Sequence, residues 1–250
     1  MKQKTIQQLN DLNRRFYREI AVEFDVSRQS FWSGWGRLQQ QVEDLNVDQL
    51  RVLDVGCGNG RFGQFLSQTL PNLSIAYTGI DNSANLLERA ERKLPSLLTQ
   101  TEFHQIDLID QLFAKQAMLG DQTFDLVVAF GLFHHIPSFE LRSALLQQLS
   151  EVVTPNGLLV VSFWQFLNST KLRERTIDPT IVQIDPSVLE ENDFILDWRA
   201  GKKPTYRYCH YTNNQEEIAL LKQIDLHVSD EFFADGSTNN LNHYLLLKKS

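Results

Sequence analysis

The stretch Val52-Leu-Asp-Val-Gly-Cys-Gly-Asn-Gly60 places an acid and three glycines within nine positions. An apolar run that ends in alternating glycines reads as a strand turning tightly into a helix. Gly56, Gly58 and Gly60 let the backbone take positive φ and approach a ligand closely, at the place where open α/β sheets bind cofactors. Two chemistries fit this loop. Gly58-x-Gly60-x-x-Gly63, with Asp81 lying 18 residues further on, satisfies the dinucleotide fingerprint. The alternative is a phosphate-free cofactor that carries positive charge. Asp54 favours the second, because a carboxylate at the mouth of the crevice repels a pyrophosphate and attracts an ammonium or a sulfonium. Asp81 can accept hydrogen bonds from ribose hydroxyls under either reading.

The elements that must position these residues follow from periodicity. The first 43 residues read as helical, with Leu9, Leu12, Phe16, Ile20 and Phe24 three or four apart, a break expected at 25–28, and an aromatic cluster of Phe31, Trp32 and Trp35 after it. Strands are expected at 51–55, 74–80, 101–106, 124–130 and 157–164, and helices at 60–69, 83–94 and 139–152. Such alternation builds a doubly wound α/β domain on a parallel sheet. It stops after 164 and resumes with a helix at 214–224 and strands at 226–233 and 242–248. The loop joining these last two strands, 234–240, is too short for a parallel crossover, so the pair is antiparallel. The expected result is one domain over 1–250. It divides into an N-terminal helical cap (1–45), a cofactor-binding core (46–165), a substrate lid (166–212) and a C-terminal helix and hairpin (213–250).

Composition narrows the class. A net charge of −7 argues against indiscriminate nucleic-acid coating, and no DNA partner is expected. The first 40 residues run the other way, with seven Lys+Arg against four Asp+Glu. No apolar run is long enough to cross a membrane, and MKQKTIQQLN has no secretory character. Cys57 and Cys209 form neither a disulfide framework nor a zinc spacing, so no metal is expected and the cytoplasm is the expected compartment.

Asp54-x-Gly-x-Gly-x-Gly60 resembles motif I of the class I S-adenosylmethionine-dependent methyltransferases, and Gly79-Ile-Asp-Asn-Ser83 resembles their following acidic loop. The stretch from Phe124 to Pro137 is similar to their fourth-strand motif, and the stretch from Leu149 to Trp164 to their fifth strand. The resemblance covers about residues 45–165 in the right order. It implies a seven-stranded sheet with an antiparallel C-terminal hairpin and S-adenosylmethionine as cofactor. It also implies a binding set of Asp54, Gly56, Gly58, Asn59, Asp81, Asn82, Asp107, Leu108 and Phe130, with Asp107-Leu108 at the adenine.

The flanks resemble a narrower group. Tyr17 to Asp25 with Ser27, Arg28 and Trp32, then 193–198, Arg207-Tyr-Cys-His210 and Asn239 to Tyr244, look like segments of the eukaryotic tRNA wobble-uridine carboxymethyl methyltransferases. That group esterifies 5-carboxymethyluridine in tRNA and works with a small activator protein. A carboxylate acceptor is already ionised at neutral pH, so it needs a cationic clamp rather than a base. Arg28 and Arg207 are therefore expected catalytic residues, His134 is expected with them as a hydrogen-bond donor to the acceptor or a shaper of the pocket, and Trp32, Tyr208, His210 and Asn242 are the expected substrate-binding ones. Lys171, Arg173, Arg175, Lys202 and Lys203 are the expected phosphate contacts if tRNA binds. The fourth strand lacks the Asp/Asn-Pro-Pro-aromatic motif of exocyclic-amine methylation, and Cys57 lies in the cofactor turn rather than at a nucleophile's position. A small-molecule carboxylate or hydroxyl acceptor and a non-catalytic subunit are the remaining readings.

Overall fold

The computed structural model describes residues 1–27, 30–199 and 204–249, the side chains of residues 21–27 excepted. A helix α1 (Gln3–Ser27) leads through a 3-10 turn (Ser33–Leu38) and a short helix α2 (Gln39–Glu43) into the sheet. Strands and helices then alternate: β1 (Gln49–Val55), α3 (Arg61–Thr69), β2 (Ser74–Asp81), α4 (Ala84–Lys93), β3 (Gln100–Gln105), α5 (Leu108–Ala114), β4 (Phe124–Ala129), α6 (Phe139–Glu151) and β5 (Val153–Trp164). Next come α7 (Thr170–Arg173), β6 (Thr176–Ile177), β7 (Asp193–Trp198) and β8 (Thr205–His210), then α8 (Asn214–Leu221), β9 (His227–Ala234) and β10 (Asn242–Lys248).

The main sheet runs β3-β2-β1-β4-β5-β10-β9. The first five strands are parallel, and β10 lies antiparallel to both β5 and β9. Successive residues of a strand point to opposite faces, and here both faces are buried. Leu53, Val127, Leu159 and Leu245 pack with α5 and α6, whereas Val52, Leu126, Leu158 and Leu246 pack with α3 and α4. The doubly wound architecture with its antiparallel hairpin is as expected.

Three differences have physical causes. The α1 helix runs through Asp25 and Val26 to Ser27, so the break does not begin at 25. Helix α5, seven residues directly after β3, is absent from the expected elements because so short a helix shows little periodicity. Its N-cap is Asp107, whose carboxylate accepts from the Ile109 and Asp110 N–H groups. The segment expected as a lid contains a three-stranded antiparallel sheet, β6-β7-β8, for which no strands were expected. The α1 helix lies on its strand β8, with Leu9 and Leu12 packed against Ile195 and Tyr208.

Candidate active site

A cavity of about 470 Å³ opens beyond the carboxyl ends of β1, β2, β3 and β4 and is roofed by α1, the lid and the terminal hairpin. Its floor is the glycine turn. Gly56 and Gly58 have φ of +79° and +55°, values that a residue with a Cβ adopts only with strain. The chain can therefore double back so that the Gly58 N–H donates to Asp81 Oδ2 at 2.9 Å. The Ser83 N–H donates to Asp81 Oδ1 at 2.8 Å. Both carboxylate oxygens are thus held in place, and burial raises the pKa of the group against these two bonds.

Asp54 sits deeper, 3% exposed, and accepts a 2.6 Å bond from the Tyr77 hydroxyl. Burial pushes its pKa up to about 7, with the nearby charge of Asp81 adding to the rise and the Tyr77 bond opposing it. Two carboxylates on one wall, one of them with its pKa pushed up to about 7 by burial, suit a positively charged ligand and repel a diphosphate.

The other half of the cavity is aromatic and carries a cation. Trp32 lies over Gly131, where a Cβ would stand 3.0 Å from the ring; Gly131 has φ of +61°. Trp164 and Trp198 complete the walls. Arg207, from β8, lines the cavity and is 6% exposed. Its guanidinium lies 4.7 Å from the Trp164 ring centre and 5.2 Å from that of Phe16. Among the described residues no carboxylate pairs with it. His134, 6% exposed, stands beside the Trp164 ring at 4.8 Å. Asn242 donates through Nδ2 to Asp235 at 2.8 Å, and Asp235 also accepts from Ser33 Oγ, the Gly34 N–H and the Tyr244 hydroxyl. This one carboxylate ties the segment after α1 to the hairpin.

The cavity brings together Trp32, Asp54, Gly56, Gly58, Asn59, Asp81, Asn82, Asp107, Leu108, Phe130, His134, Arg207 and Asn242 of the expected set. Arg28, Lys202 and Lys203 lie outside the described residues. Two expectations are corrected. Tyr208 and His210 are not on the cavity, because alternation along β8 turns them to the face opposite Arg207. There the Tyr208 hydroxyl donates to Asp193, and His210 bridges Asp193 at 2.8 Å and Glu216 at 2.6 Å. Glu216 in turn pairs with the buried Arg142, which also holds Glu190. Glu190, Asp193 and His210 bring metal-ligating atoms within 4.8 Å of one another, but both His210 nitrogens are already engaged by carboxylates. This cluster fastens the lid to α6 and α8.

Asp107 lines the cavity, yet its carboxylate is also a docking point for α1. Arg14 Nε reaches it at 2.7 Å and Asn10 Nδ2 at 3.1 Å. Burial opposes its charge, but the bond from Arg14 holds its pKa below the usual carboxylate range. Sequence reasoning missed Asn10, Asn13 and Tyr17, which line the cavity from α1. Their spacing of three and four places them on one helix face, which was the available signal. Trp198 carried only the resemblance of the segment 193–198, and Asp235 had no signal, since the tertiary fold brings it here.

Comparison with known proteins agrees with this geometry. Residues 53–159 match the family described as "Methyltransferase domain". A ubiquinone biosynthesis O-methyltransferase from Histophilus somni is 29% identical over 133 residues, 53% of this chain and 50% of that protein. A mouse tRNA (carboxymethyluridine(34)-5-O)-methyltransferase is 26% identical over 149 residues, 59% of this chain and 19% of that protein. The chain thus spans half or less of the length of these two relatives. A S-adenosylmethionine-dependent methyltransferase structure from Clostridium acetobutylicum superposes with a TM-score of 0.66 at 15% identity, covering 94% of this chain and 99% of that one. The amino pentose methyltransferase CalS10 from Micromonospora echinaspora, solved with S-adenosylmethionine bound, gives 0.61 at 16% identity over 92% and 96%. Residues 53–159 thus match the methyltransferase-domain family, and the chain as a whole has the fold of class I S-adenosylmethionine-dependent methyltransferases.

Proposed function

We propose that this chain, whose core is a S-adenosylmethionine-dependent methyltransferase domain, transfers the methyl group to a carboxylate, and that the acceptor is 5-carboxymethyluridine at the wobble position of tRNA. The observation that carries the reading is Arg207. A guanidinium kept 6% exposed, between two aromatic rings and without an acidic partner among the described residues, bears a desolvation cost that an anion bound in the cavity would offset. Its planar fork matches a carboxylate's two oxygens.

When bound, S-adenosylmethionine supplies an electrophilic methyl group to an in-line attack. The chain's own residues do the rest. Asp54 and Asp81 hold the positively charged and hydroxylated parts of the donor. Arg207 orients the acceptor carboxylate, and Trp32, Trp164 and Trp198 exclude water from it. His134 lies beside Trp164 on the acceptor side, where it hydrogen-bonds the acceptor. A carboxylate is ionised at neutral pH, so no residue has to remove a proton.

The tRNA part of the proposal draws on the mouse relative and on the exposed Lys171 and Arg173, which flank the cavity-lining Leu172 on α7. A small activator protein belongs to the same proposal. A small-molecule acceptor is the second reading. It is favoured by the aromatic walls of the cavity and by the ubiquinone-pathway relative. The test is methyl transfer from labelled cofactor into tRNA carrying the free acid. Label should enter tRNA and leave again under mild base, as an ester does. Label that resists base, or that enters no tRNA at low salt with partner proteins supplied, defeats the assignment.

A further inference from the structure

Besides tying the segment after α1 to the hairpin, Asp235 fixes which way Asn242 faces. Asp235 Oδ2 accepts from Asn242 Nδ2 at 2.8 Å and from the Tyr244 hydroxyl at 2.6 Å, while Oδ1 accepts from Ser33 Oγ and the Gly34 N–H. The Asn242 amide is not free to flip, because the reverse would set its oxygen against a carboxylate. Its Oδ1 is therefore turned away from Asp235. That oxygen is buried and accepts no hydrogen bond among the described residues. Asn242 is 3% exposed and lines the cavity. A carbonyl oxygen buried without a donor is costly, and a donor on a bound ligand removes the cost.

Asn242 stands next to the anchor for the acceptor. It is the cross-strand partner of Trp164. Directly opposed residues of an antiparallel pair show their side chains on one face, with Cβ atoms about 5 Å apart. The Arg207 guanidinium lies 4.7 Å from the Trp164 ring centre. Around one tryptophan the cavity thus offers a cation that suits a carboxylate and an open oxygen that suits an N–H or O–H. In a 5-carboxymethyluracil nucleoside the carboxylate arm at C5 and the imide N–H at N3 flank the same carbonyl, and N3–H is the only hydrogen-bond donor on the ring. We propose that Asn242 sets specificity for the acceptor base by accepting the hydrogen bond of its imide N–H while Arg207 holds the carboxylate. A cytosine ring, with a lone pair at N3, would set acceptor against acceptor there. This rests on the wobble-uridine reading above and names the residue that reads the base in it.

The test compares two anticodon stem-loop RNAs as acceptors of label from S-adenosylmethionine. One carries 5-carboxymethyluridine at the wobble position; the other carries its N3-methyl counterpart, which keeps the carboxylate and lacks the donor. Wild type should favour the first in kcat/KM by at least about 30-fold, since a site built around a buried acceptor rejects a ligand without the donor. Asn242→Ala removes the oxygen and makes room for the extra methyl, so the preference should fall to within about fivefold. Asn242→Ser, whose hydroxyl can still donate to Asp235, is the second variant where alanine does not fold. A purely structural role for Asn242 would lower both rates together and leave the preference standing. Calorimetry with S-adenosylhomocysteine should give the variants the wild-type affinity to within about twofold, which places the loss on the acceptor side. A smaller wild-type preference overturns the proposal, while the wobble-uridine assignment stands on the transfer itself. So does a preference that the substitution leaves unchanged. Transfer to neither RNA by wild type, with partner proteins supplied, overturns the assignment and this proposal together.

Discussion

The two halves of the cavity are built on different principles. On the donor side, Asp54, Gly56, Gly58 and Asp81 stand at strand ends and in the turns that follow them, and their polar partners are nearby backbone N–H groups and Tyr77. On the acceptor side, the Tyr208 N–H reaches Asn13 across 195 positions, Gly34 reaches Asp235 across 201, and Arg207 is sandwiched by Phe16 and Trp164. The strands β1 and β2 and the turns after them supply Asp54, the glycines and Asp81 of the first half. The second half exists only when α1, the lid and the hairpin all dock. A reaction common to many acceptors can be held by the local half while specificity changes in the assembled one.

If the halves are independent, single substitutions should separate them. Arg207→Met keeps the packing between Phe16 and Trp164 and removes the charge. It should lower kcat/KM for the carboxylate acceptor by about 1,000-fold, or ~4 kcal/mol of transition-state stabilisation, with cofactor affinity unchanged by calorimetry. Asp81→Ala should do the converse, weakening cofactor binding by about 100-fold, the worth of two hydrogen bonds to a charged group. Matching losses in both assays from either variant would show a single coupled site.

The same division explains what could be read from the residues alone. The order of the sheet strands, the glycine turn, Asp54 and Asp81 were legible because short apolar runs and glycine spacing report local backbone. Arg207 was legible as a cation and only by resemblance as a clamp, since its isolation from acids among the described residues is a tertiary fact. Tyr208 and His210 were misplaced because neighbours in sequence on a strand face opposite ways, and the phase of β8 is set by its pairing with β7. Asn10 and Tyr17 carried a helical spacing, but nothing in α1 itself says that its polar face meets a cavity. The three-stranded lid escaped notice because Pro179, Pro186 and the short β6 break its alternation.

Titration should separate the halves by sign. Burial pushes the Asp54 pKa up to about 7, and a bound ammonium must displace that proton. Cofactor affinity should therefore rise by up to about tenfold per unit as pH increases from 5 to 7, then level off. Asp54→Asn should flatten the profile. Fold stability runs the other way. Burial alone would lower the His210 pKa, but its bonds to Asp193 and Glu216 carry it above the ordinary histidine value. A folded-state pKa above the unfolded one contributes stability that is complete below about pH 6.5 and is lost as pH rises through the folded value. Measured with saturating cofactor, which removes Asp54's own share, the melting temperature should decline across that range, and His210→Gln should abolish the decline.

The smallest effects decide between the two acceptor classes. Lys171 and Arg173 are exposed on α7, on either side of a residue that lines the cavity, so they stand where an RNA backbone would pass if its base entered. Removing either cation should weaken tRNA binding a few-fold and reduce the slope of log affinity against log salt by about one. Lys171→Gln with Arg173→Gln should therefore shift the slope by about two, while S-adenosylhomocysteine affinity stays where it was. A small acid that enters the cavity never meets these two side chains, and its turnover should be indifferent to both substitutions and nearly indifferent to salt. An unchanged slope with tRNA would move the assignment toward the small-molecule reading, because the charges best placed to guide a polyanion to Arg207 would then be guiding nothing.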